Sequence, residues 1–77
     1  MTQELLFTFR NVNQWHPVTL VNYDSGDQDL VIQTGPGHTQ ALEDAKALLS
    51  FRGLTVSEEG TMLGGAGMYY TVTKEKQ

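Results

Sequence analysis

One stretch of this chain spaces its apolar residues as a helix does, and every other segment must find its packing partner there. The stretch runs from Gly35 to Leu54. At about 100° per residue, Ala41, Leu42, Ala45, Leu48, Leu49 and Arg52 fall in a single stripe, with Glu43, Lys46, Ala47 and Ser50 opposite. Gly35-Pro36-Gly37 resists a helical interior, and Thr39 is placed to cap by accepting from a free backbone N–H. Gly53 suits the left-handed residue that closes a helix, after which Leu54 can fold back on Leu49. Glu43 and Asp44 are expected near the positive end of the helix dipole and Arg52 near the negative end. The spacing predicts about three to four turns. Phe51 falls off the stripe and is expected at the sheet edge or against a partner.

The flanking segments alternate with a period of two, the signature of half-buried strands. Strands are predicted over 4–12, 18–23, 30–33, 54–58 and 68–73. The segment 11–17 reads as a turn, with Pro17 opening the second strand because a strand interior needs the missing N–H. Asp24-Ser25-Gly26-Asp27 is the second turn. Glu59 to Gly67 holds four of the eight glycines and is expected to be a mobile loop. The charged tail, 74–77, is expected to fray. The order β-β-β-α-β-β predicts an α+β fold, a single mostly antiparallel sheet of about five strands with the helix across one face. A crossover through the helix would make the third and fourth strands parallel. The whole chain, 1–77, reads as one compact domain.

Size then bears on function. A domain near 77 residues buries only about 60% of its unfolded surface. With no cysteine, neither a disulfide nor a thiolate metal site can add stability, which leaves a second copy or a partner as the means to bury more. Net charge is −4, from nine acidic and five basic residues. That balance argues against nucleic acid, whose phosphates need clustered Lys and Arg; it mildly favours a basic protein surface, the alternative and commoner reading being an ordinary soluble acidic protein. No apolar run approaches the roughly 18 residues of a membrane span. The start, Met1-Thr2-Gln3-Glu4, lacks the basic region of a signal peptide, so a cytoplasmic location is expected.

Width gives the most useful expectation. Five strands make a sheet roughly 20–24 Å across, whereas a helix is only about 10 Å wide. It can cover one face, assigned by the alternation to Leu5, Phe7, Phe9, Val18, Leu20, Leu30, Ile32, Leu54, Val56, Met68, Tyr70 and Val72. The other face carries Leu6, Val12, Val21, Tyr23, Val31 and Tyr69 among Thr8, Arg10, Thr19, Gln33, Thr55, Thr71 and Thr73. Its threonines suit a solvated face, and its apolar and tyrosine members suit a docking surface.

Val21, Tyr23 and Tyr69 are therefore candidate protein-binding residues. Met62 and Leu63 join them as apolar residues in the glycine-rich loop, where folding back over the sheet edge is the alternative. Trp15 either plugs the open end of the core or anchors a partner. Asp24, Asp27, Asp29, Glu58 and Glu59 are candidates to meet a basic groove.

Catalytic and cofactor readings are weaker. Gly35-Pro36-Gly37-His38-Thr39 precedes a helix but lacks the lysine of a phosphate loop and the three-glycine dinucleotide fingerprint, so it reads as a strand-to-helix turn. Asp24, Asp27 and Asp29 lack the calcium-loop register and read as a solvated acidic turn. His16 and His38 sit in separate loops without cysteine or helical pairing, which speaks against zinc and against an enzyme built on either. No cofactor or metal is expected.

No family resemblance emerges from these residues. Cysteine-free acidic α+β domains of this size are frequent among phage and mobile-element accessory proteins, including host-enzyme inhibitors and anti-CRISPR proteins. The expectation is a non-enzymatic protein of that kind that docks on a partner protein. The alternative is a structural subunit, a homodimer for example, that uses the same face for self-association.

Overall fold

The computed structural model describes residues 1–11, 13–33, 35–63 and 67–75. The expectations for Val12, for 64–66 and for Lys76 and Gln77 fall outside the described residues. Six strands and one helix follow in order: β1 Thr2–Asn11, β2 Gln14–Asn22, β3 Gln28–Gln33, α1 His38–Ser50, β4 Leu54–Val56, β5 Thr61–Leu63 and β6 Gly67–Lys74. They form one antiparallel sheet in the order β1-β2-β3-β6-β4, with β5 also on β6, and the sheet curls into a half-barrel against the helix. Both β3 and β4 run antiparallel to β6 between them, so the two are parallel to each other, as the crossover requires.

Several boundaries differ from the sequence reading. Pro17 lies inside β2, paired with Thr8. Before Val18 β2 is paired by β1 alone, so Pro17 stands where one side of the strand is an edge and no donor is needed there. The first turn is correspondingly short, since Asn11 already pairs with Gln14. At the second turn the Gly26 amide donates to the Tyr23 carbonyl, with Gly26 at φ 95, a three-residue loop closed by a left-handed glycine. The segment 61–63, expected as mobile loop, pairs with 67–69 of β6. At the tail, Lys74 pairs with Leu54, and the Glu75 amide donates to the Gly53 carbonyl at 2.8 Å, so these two residues do not fray.

The helix begins at His38 on a left-handed Gly37, without a side-chain cap, so Thr39 lies inside the first turn rather than before it. Its first turn holds no acid and its last no base, so Glu43, Asp44 and Arg52 are not placed to compensate the dipole. Gly53, at φ 73, closes the C-terminus as expected. Ala41, Ala45 and Leu49 are buried, and they pack with Val18, Leu20, Leu30, Ile32, Val56, Tyr70 and Val72. The small alanines let the helix approach the strands closely.

A bulge corrects the first strand. Leu5 pairs with Thr19 but Phe7 pairs with Val18, which leaves Leu6 as an extra residue. Leu6 packs against the core, whereas Leu5, expected inside, is 60% exposed on the other face. The bulge also turns Glu4 to the helix side, opposite Leu20, where its carboxylate accepts from Arg52 at 2.7 Å. Phe51, which was expected at the sheet edge or against a partner, is 92% exposed and so does not pack on the edge.

Two groups lock the helix start to the sheet. The His38 ring sits between the Gln33 carbonyl, 3.1 Å from Nδ1, and the Tyr70 hydroxyl, 2.7 Å from Nε2. A carbonyl only accepts, so in the neutral ring Nδ1 donates to Gln33 and Nε2 accepts from the Tyr70 hydroxyl. Gly60 lies directly on the Tyr70 ring: a Cβ there would meet Cε1 at 2.7 Å and Cζ at 2.8 Å.

Gly60→Ala should therefore destabilise the fold by about 1–3 kcal/mol, read from the denaturant midpoint, because the buried ring cannot move away. A second expectation concerns acid. The Arg52 guanidinium, hydrogen-bonded to Glu4, holds that carboxyl below its ordinary range, with partial burial opposing. The contribution is present above the unfolded carboxyl value and is lost as pH falls through the lower folded one. Stability–pH curves of the wild type and Glu4→Gln should thus be separate near neutrality and converge in acid.

Candidate functional surface

Ladder register carries one face across the whole sheet. Leu5, Thr19, Val31, Tyr69 and Thr61 form one row, and Gln3, Val21, Asp29 and Thr71 the next. At the hairpin end the same face continues through Pro17 opposite Thr8 and Trp15 opposite Arg10. The core cluster with α1 lies on the other face, through rows such as Leu20, Leu30 and Tyr70. The outer face thus has an apolar middle, an acidic end and Arg10 at the far end.

The sequence candidates divide on this geometry. Tyr23, Tyr69, Asp29 and Trp15 share the outer face. Trp15 is 66% exposed within β2, so it does not plug the core. Val21 is on that face too but only 6% exposed, so neighbouring side chains already cover it and it offers little to a partner. Met62 is exposed, yet it pairs with Met68, a core-packing residue, and so belongs to the helix side. Leu63 pairs with Gly67 through its backbone. Leu5 is the outer-face residue that the sequence reading missed. Its signal was the run Leu5-Leu6-Phe7, adjacent apolar residues that break strict alternation.

The acidic candidates also divide. Asp24, Asp27 and Asp29 gather at the β2–β3 turn, and Glu58 and Glu59 lie exposed between β4 and β5 at the opposite edge. Asp24 forms an ion pair with the N-terminal ammonium at 2.5 Å. Asp27 accepts from the Ser25 hydroxyl at 3.0 Å, and Asp29 from the Tyr23 hydroxyl at 2.9 Å. Tyr23, Ser25, Asp27, Gln28, Asp29, Thr71, Val72 and Thr73 line a depression of about 550 Å³ at this end.

Among the described residues no three His, Asp or Glu side chains gather as metal ligands. His16 lies against Phe9, with ring centroids 5.7 Å apart, and His38 is held by Gln33 and Tyr70. The two histidines that an enzyme reading would use thus have packing partners of their own. No described helix is long and apolar enough to cross a membrane. No family model, curated protein or solved structure matches the chain.

The Tyr23–Asp29 pair gives a direct check on the acidic end. Donation to Asp29 raises the Tyr23 hydroxyl above its ordinary value of 10.0, aided by partial burial and by the Asp29 charge. This contribution is complete below the unfolded tyrosine value and is lost as pH rises through the higher folded one. In Asp29→Asn, the NMR titration of the Tyr23 ring should move down toward the ordinary value. An unmoved titration would contradict the pair.

Proposed function

We propose that this chain is a non-enzymatic accessory protein that acts by docking its outer sheet face on a partner protein. One observation carries the reading: Leu5 and Trp15 stand 60% and 66% exposed on a face that the single helix does not cover. Exposed large apolar residues lose solvation free energy in water and regain it on burial, and Trp and Tyr are enriched at binding hot spots. The acidic end and the net charge of −4 favour a partner with a basic patch. Size, charge and absence of cysteine support placing it among phage or mobile-element inhibitors of host enzymes, of which anti-CRISPR proteins are one kind.

The test is affinity capture from lysate of the source cells with three baits. Wild type and Phe51→Ser, a control on the helix side, should retain the same partner. The combined variant Leu5→Ser, Trp15→Ser, Tyr69→Ser should lose it while keeping its circular dichroism. Equal capture by all three would remove the outer face from the account.

A further inference from the structure

We draw no further inference here: the strongest candidate, the outer sheet face carrying Leu5, Trp15, Val31 and Tyr69, belongs to the surface already described, and nothing in the structure shows what covers it.

Discussion

The structure depends on one packing constraint: a single 13-residue helix must close a sheet about twice its width. The helix meets it by presenting small residues. Ala41 and Ala45 are buried with Leu49, and the bulk in the core comes from the strands, through Val18, Leu20, Leu30 and Ile32. Curling the sheet around this contact shields more strand surface than a flat sheet would. The helix does not reach the opposite face, where Leu5, Trp15, Val31 and Tyr69 stand among threonines.

Two local devices make the arrangement specific. The bulge at Leu6 rotates the start of β1, so that Leu6 faces the core, Leu5 faces outward and Glu4 reaches Arg52 just past the end of α1. At the other end of the helix, His38 ties the last residue of β3 to Tyr70 on β6. Gly60 allows the chain between β4 and β5 to pass against the same ring. Helix start, helix end and both halves of the sheet are thus fixed by contacts that do not involve the outer face. Substitutions on the outer face leave these contacts in place.

The element order, the helix and the existence of an uncovered face were legible because they follow from periodicity and width. Residues 38–50 have the spacing of a helix, and the three long strands alternate. What was not legible depended on pairing. A bulge is defined by two strands together, so the adjacent apolar residues Leu5-Leu6-Phe7 could not by themselves show which of them faces the core, and a period of two put Leu5 inside. Three residues, Thr61 to Leu63, carry too little pattern to be separated from the surrounding glycines, and they become a strand only because β6 offers an edge. Trp15 and Pro17 looked like turn residues because Asn and Pro surround them, yet the short hairpin keeps them within β2. The candidate site inherited these errors: Tyr23, Tyr69, Trp15 and Asp29 are brought onto one face, Met62 falls on the other, Val21 is covered, and Leu5 was missed.

The central claim is that the chain has one covered and one open face, with the boundary set by the bulge in β1. Solvent paramagnetic relaxation measured by NMR on the dilute chain reads this residue by residue. The account predicts strong relaxation of the Leu5, Trp15 and Tyr69 side chains, weaker relaxation at Leu6, and protection of Leu20, Ile32 and Leu49. Protection of Leu5 together with strong relaxation of Leu6 would contradict it, because the first strand would then present the opposite face and the open surface would not be the one described.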